Sequence, residues 1–229
     1  GAWLLRFLLG WSAWDLTQSA TWVGLVGALM LAPALFLSPW FGILSDRVNP
    51  RQGLLLSMLL HSFIALIGAV TSATGTYERT ALVCLATLLG MATSLHSPMR
   101  LALVPLLVPR EALPSAVGYS AMSFNIARMI GPALGAALVA RISVTAAWVM
   151  AAMMFMVSFW RLSRLGVERP SEADTPTSYR TQLMAGFRYP RFRRYYPASW
   201  FSSLGAWLLR FLLGWSAWDL TQSATWVGL

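Results

Sequence analysis

Few residues in this chain are equipped to do chemistry, and most of them are arginines placed where charge is expensive. Of 229 residues 57% are hydrophobic and only 11% charged, against about 25% charged in an ordinary soluble domain. Within that apolar text, "FGILSDRVNPRQ" at residues 41–52 sets Asp46 beside Arg47 and Arg51 at the end of a long uncharged run. Arg100 closes a later run. "SFNIARMIGPALG" carries Asn125 and Arg128 three residues apart, hence on one helix face. Arg6 lies inside "AWLLRFLLG", and Arg210 lies inside an identical stretch near the other end. A carboxylate at a membrane boundary needs a cationic partner. A guanidinium deep in an apolar run needs a cavity, an anion or backbone carbonyls. The only acid on the same segment, Asp219 (Asp15 in the first stretch), is nine residues past Arg210, about 13 Å along a helix.

No nucleophile–base pair, metal-ligand cluster or phosphate-binding loop accompanies these groups. Asp46 and Glu111 do not stand at any catalytic spacing, so neither an enzyme, a cofactor nor a metal is expected. His61 and His96 have no acidic neighbour in sequence and read as core or interface residues rather than a proton relay. The single cysteine, Cys84, rules out an internal disulfide and reads as a structural thiol. The net charge of +9 is all arginine and lies between apolar runs, with no groove-reading motif, which argues against nucleic acid.

The elements that must position these residues are membrane spans of about 20 apolar residues. Residues 22–44, 53–70, 81–96, 116–140, 142–160 and 196–218 qualify, which defines an all-α integral membrane protein. The connections at 45–52, 98–113 and 161–194 hold 12 of the 17 arginines, while the opposite side holds Arg79 and Arg141. That asymmetry predicts that the arginine-rich side is cytoplasmic. Residues 168–178, "ERPSEADTPTS", read as a flexible linker. The following "YRTQLMAGFRYPRFRRYY" reads as a basic interfacial helix or as an ordinary juxtamembrane charge cluster.

"FGILSDRVNPRQ" resembles the motif between the second and third helices of the major facilitator superfamily, Gly-x-Leu-x-Asp-Arg-x-x-(Arg/Lys)-(Arg/Lys). Gly42, Leu44, Asp46, Arg47 and Arg51 match, and Pro50 departs. Gly42 is expected to allow a close helix approach, and Asn49–Pro50 to reverse the chain. The resemblance implies a cytoplasmic gate of Gly42, Asp46, Arg47, Arg51 and Arg100, with Arg100 pairing Asp46; a solvated turn is the plainer alternative. Pro98, Arg100, Pro105, Pro109, Leu113, Asn125, Arg128, Gly131, Pro132 and Gly135 together are similar to the enterobactin-exporter branch of that superfamily. Gly131, Pro132 and Gly135 match its antiporter-type fifth-helix signature. With no midplane carboxylate to offset them, Arg6 or Arg210, Asn125 and Arg128 point to a positive cavity for an anionic or acidic-phenolic substrate. The plainer alternative is that these arginines tie helices together.

Residues 1–25 recur without change as residues 205–229. The text preceding the second copy resembles the start of the exporter family, so the chain is read as re-entering its own beginning after six distinct spans. The expected layout is a truncated first-helix copy at 1–25 running into helix 2, helices 2–6 across 22–165, a linker and interfacial helix at 166–194, and a full first-helix copy at 195–229. The first copy, with about 15 residues before the polar "DLTQS", is expected to fit less well than the second. The resemblance implies the amino-terminal six-helix half of an exporter of a small molecule across the bacterial inner membrane, driven by proton antiport. Its implied partners are the substrate, protons, the bilayer, and a missing carboxy-terminal half or a second copy. A homodimeric half-transporter and a non-transporting membrane scaffold are the alternatives.

Overall fold

The computed structural model describes residues 1–166 and Ser216. Among these the chain forms α1 (Ala2–Thr17), α2 (Ala20–Arg47), α3 (Pro50–Thr74), α4 (Arg79–Leu103), α5 (Leu113–Arg141) and α6 (Val144–Ser163), and no strand. Two short 3-10 turns, Val104–Leu106 and Arg110–Ala112, join α4 to α5. Five of these segments, Ala20–Ser45, Pro50–Thr74, Arg79–Leu106, Arg110–Arg141 and Val144–Ser163, are long and apolar enough to cross a bilayer. The last expected span, the linker at 168–178, the basic segment after it and the second copy with Arg210 and Asp219 lie outside the described residues.

Local chemistry sets the helix boundaries. Asn49 is the N-cap of α3, with its side chain accepting from the Arg51 N–H at 3.0 Å and Pro50 in the first turn. Pro at that position loses no helical hydrogen bond, so Asn–Pro reverses the chain in two residues. Ser143 caps α6 in the same way, accepting from the Ala146 N–H at 3.0 Å. Gln18 ends α1 in the left-handed region (φ 48°), where its side-chain amide donates to Trp14 O at 3.2 Å. Gly75 ends α3 at φ 70°, a conformation that needs no Cβ.

α3 packs between α4 and α6, α2 lies along α4, and α1 is held by α5 and α2 with further contacts to α4 and α6. The main core takes Leu4, Leu5, Leu8 and Leu9 from α1, Leu82, Leu85 and Leu89 from α4, and Trp148, Ala151 and Phe155 from α6. Their spacings of three and four residues are those of a single helix face. A smaller cluster at the arginine-rich end joins Leu54, Leu95, Met99, Leu103 and Leu162. At the opposite end Tyr77 is half-buried with its ring 6.3 Å from that of Trp148, and burial pushes its hydroxyl up to about 12. Phe36, Phe63, Leu101 and Met129 remain exposed, the surface expected of helices solvated by lipid.

One expectation is revised. The fourth span was expected to end near His96, with Pro98 opening a loop; instead α4 continues through Pro98 to Leu103. Proline removes one amide donor, and the neighbouring helices of a membrane bundle tolerate that loss. The first copy of the repeated segment is short, but its 16 residues bury Leu4, Leu5, Leu8, Leu9, Ser12 and Ala13 at the centre of the bundle. It reaches about 24 Å at 1.5 Å per residue and is fully part of the packing.

Gly90 on α4 is where α2 comes closest. A Cβ there would lie 2.8 Å from both Met30 O and Pro33 Cγ. Gly42 marks no close approach among the described residues: a Cβ there would meet none of them within 4 Å. Gly90→Ala should therefore destabilise the detergent-solubilised protein by about 2 kcal/mol or more, as overpacking against backbone does. Gly42→Ala should stay within about 0.5 kcal/mol of the parent. Thermal unfolding followed by size-exclusion chromatography checks both.

Candidate functional site

The α1–α5 contact builds the site. Gly131 and Gly135 stand one turn apart on α5; a Cβ on Gly131 would lie 2.7 Å from Trp3 Cβ, and one on Gly135 2.5 Å from Phe7 Cδ1. Small residues four apart let the two helices approach closely. Arg128 lies three residues before Gly131 and shares its face, so the contact that seats α1 also carries Arg128 toward Arg6. Pro132 lies within α5, and its missing N–H leaves the Arg128 carbonyl without its usual helical donor.

Where these helices meet α4 there is a cavity of about 540 Å³, lined among others by Trp3, Arg6, His96, Arg100, Phe124 and Arg128. Its α4 wall is Thr93, His96, Ser97 and Arg100, spaced three and four apart as one helix face requires. Thus the arginines of three helices converge, and no aspartate or glutamate is among the described residues that line it. Aromatic faces support two of the cations. The Arg6 guanidinium carbon is 4.8 Å from the Trp3 ring centre, and that of Arg100 is 5.2 Å from Phe124. Trp3 and Phe124 pack edge to face at 5.7 Å. Arg100 also donates through Nη1 to Ser120 Oγ at 3.3 Å.

Sequence reasoning missed a histidine pair behind this wall. The rings of His61 on α3 and His96 on α4 are 5.5 Å apart, edge to face. His61 Nδ1 lies 2.7 Å from Ser57 O, which makes it the donor, while Ser57 Oγ lies 2.7 Å from His96 Nδ1. Phe155 of α6 stacks on His61 at 4.7 Å. The only sequence signal was spacing: Ser57 and His61 four apart on one helix, Thr93 and His96 three apart on the next.

The remaining candidates are dispersed. Asn125 is exposed, donates to Ala121 O at 3.0 Å and is not among the cavity-lining residues. Asp46 and Arg47 are the last two residues of α2. Arg51 reaches α6 instead: Nε donates to Leu162 O at 3.3 Å and Nη2 to Ser163 O at 2.5 Å. A cation on carbonyls left unpaired at a helix C-terminus caps it and complements its dipole. Arg51→Met should lower stability by about 1 kcal/mol, discounted for its partial exposure. Arg51→Lys should recover part of that, read as thermal shifts of the purified variants.

Five helices long and apolar enough to cross a bilayer define a polytopic membrane protein with a cationic cavity. A profile of the family described as transmembrane secretion effector matches residues 1–197. The chain belongs to that family, within the major facilitator superfamily. Among curated proteins it is similar to the Staphyloferrin A transporter of Staphylococcus aureus (strain NCTC 8325 / PS 47), at 28% identity over 142 residues. The alignment covers 61% of this chain and 36% of that transporter, so the chain spans about a third of its relative's length. No solved structure matches.

Proposed function

We propose that this chain is the amino-terminal half of a secondary transporter that exports a small anionic molecule, siderophore-, drug- or metabolite-like, by alternating access. The observation that carries this reading is the convergence of Arg6, Arg100 and Arg128 on one cavity, with no carboxylate among the described residues that line it. Arginine recognises carboxylates and phenolates through paired charge-assisted hydrogen bonds, most strongly where water is excluded. The family's description as secretion effectors supports outward transport, and the relative's name supports a siderophore-like cargo. The arginine-rich end is read as cytoplasmic in the bacterial inner membrane, with Asp46, Arg47 and Arg100 forming a gate there and proton antiport as the driving force.

Few residues of α2 and α5 are fully buried among the described residues, which supports a partner against them in the working transporter. The chain's coverage of its relative favours a distinct second half over a second copy.

The test is reconstitution of the full 229-residue chain in liposomes with an imposed pH gradient and carboxyfluorescein as the anionic probe. Binding without flux is the expected result. Arg128→Gln should weaken that binding by about tenfold or more while the protein level and elution profile stay as in the parent. Proton-coupled flux from the chain alone would replace this reading with a homodimeric half-transporter. Neither binding nor flux would leave the scaffold role. Loss of folded protein in Arg128→Gln would mean that the arginine ties helices together.

A further inference from the structure

The hydrogen bonds around the histidine pair run in one direction, and they end at the cavity. A backbone carbonyl can only accept, so His61 Nδ1, 2.7 Å from Ser57 O, holds the proton of its ring. His61 Nε2 is then an acceptor, and Thr93 Oγ1, 3.5 Å away, is placed to donate weakly to it. Ser57 is completely buried, and the only acceptor its hydroxyl meets among the described residues is His96 Nδ1, at 2.7 Å. If His96 donated instead, the Ser57 hydrogen would be buried without a partner, the costly arrangement for a hydroxyl. The serine therefore donates, and His96 carries its proton on Nε2. The two nitrogens lie on opposite edges of an imidazole, so with Nδ1 turned to α3 the Nε2–H is directed away from that helix. His96 is half-buried and lines the cavity of about 540 Å³. Its Nε2 has no hydrogen-bond partner among the described residues, yet it is not one of their enclosed, unsatisfied polar atoms. The tilt of the ring is held from behind by His61, edge to face at 5.5 Å, which is itself stacked on Phe155 at 4.7 Å.

We propose that His96 is a ligand-binding residue, a neutral imidazole that donates from Nε2 to an acceptor oxygen of the ligand, and that Ser57 is the positioning residue that fixes this tautomer. The acceptor is a carbonyl, carboxylate or phenolate oxygen. The proposal rests on the reading of this cavity as the ligand site, and it adds a neutral donor whose direction is set by α3. A single hydrogen bond of this kind orients a ligand against the α4 wall, because Nε2–H offers one donor in one direction.

The experiment is nitrogen NMR of the full chain, labelled with 15N-histidine in neutral nanodiscs, with carboxyfluorescein as the probe. The chain has only two histidines, so four ring nitrogens account for the whole spectrum, and His96→Gln assigns those of His61. Without probe, His61 should be protonated on Nδ1 and His96 on Nε2. Adding probe should move the His96 Nε2 signal and leave His61 in place. His96→Phe should weaken probe binding by about tenfold, and His96→Gln, which keeps an N–H near the same position, by about threefold or less. Ser57→Ala should leave His96 as a mixture of tautomers and weaken binding by about threefold. A parent His96 protonated on Nδ1, or on both nitrogens, would overturn the proposal while leaving the cavity reading standing. So would probe that binds without moving His96 Nε2, or that binds a folded His96→Phe protein as tightly as the parent. No probe binding by folded parent protein would overturn the cavity reading and the proposal with it. If His96→Phe does not fold, the probe-induced shift at Nε2 in the parent decides.

Discussion

A guanidinium placed in hydrocarbon must be given something to do, and the rest of the bundle follows from that constraint. Arg6 and Arg128 lie well inside apolar helices, and Arg100 lies near the end of one. None can be abandoned to lipid without a cost of several kcal/mol. The fold meets this by turning all three toward one space and laying aromatic faces against two of them. That solution requires α1 and α5 to touch almost backbone to backbone, because a wider gap would separate Arg6 from Arg128. Gly131 and Gly135 are the residues that permit the approach. The glycine stripe and the arginines are therefore one device, with the first setting the distance at which the second can act together.

Much of this was legible in the sequence because membrane helices announce themselves by length and apolarity. The turn at Asn49–Pro50 and the small-residue stripe at Gly131 and Gly135 could also be read, since caps and close approaches use few residue types. What could not be read were relations between helices. Neither His61 nor His96 has a neighbour in sequence to suggest a partner, yet packing α3 on α4 sets their rings 5.5 Å apart. Gly42 illustrates a different ambiguity. A glycine permits a close approach but does not require one, and none is made there among the described residues. Pro98 misled because a breaker in water is tolerated inside a membrane bundle, where α4 runs on to carry Arg100.

The motif that the sequence presents as one unit is divided in three dimensions. Asp46 and Arg47 finish α2, whereas Arg51 begins α3 and fastens to the carbonyl end of α6. Two residues of turn thus separate the end of α2 from the arginine that holds α3 on α6. Leu162, whose carbonyl Arg51 takes, is itself buried against Leu54 and Leu103, so the polar latch and the small apolar cluster support each other. Helices 3 and 6 then form a stiff pair at this end, against which any movement of α2 would have to occur.

α5 bears opposed demands that explain its unusual sequence. Arg128 turns to the cavity while Met129 and Ile130, the next two residues, are exposed. At about 100° per residue, three consecutive positions point in three directions, so a helix with a polar and an apolar duty cannot show a simple amphipathic stripe. Its contact with α1 rests on a narrow line through Gly131 and Gly135, and most of its circumference is left bare. A helix held so lightly on one side can rock about that line with little loss of packing. Any such movement would carry Arg128 and Phe124 together, since both stand on α5. Because α5 supplies Phe124 and Arg128 to the cavity wall, the seating of α5 on α1 also sets the shape of that cavity.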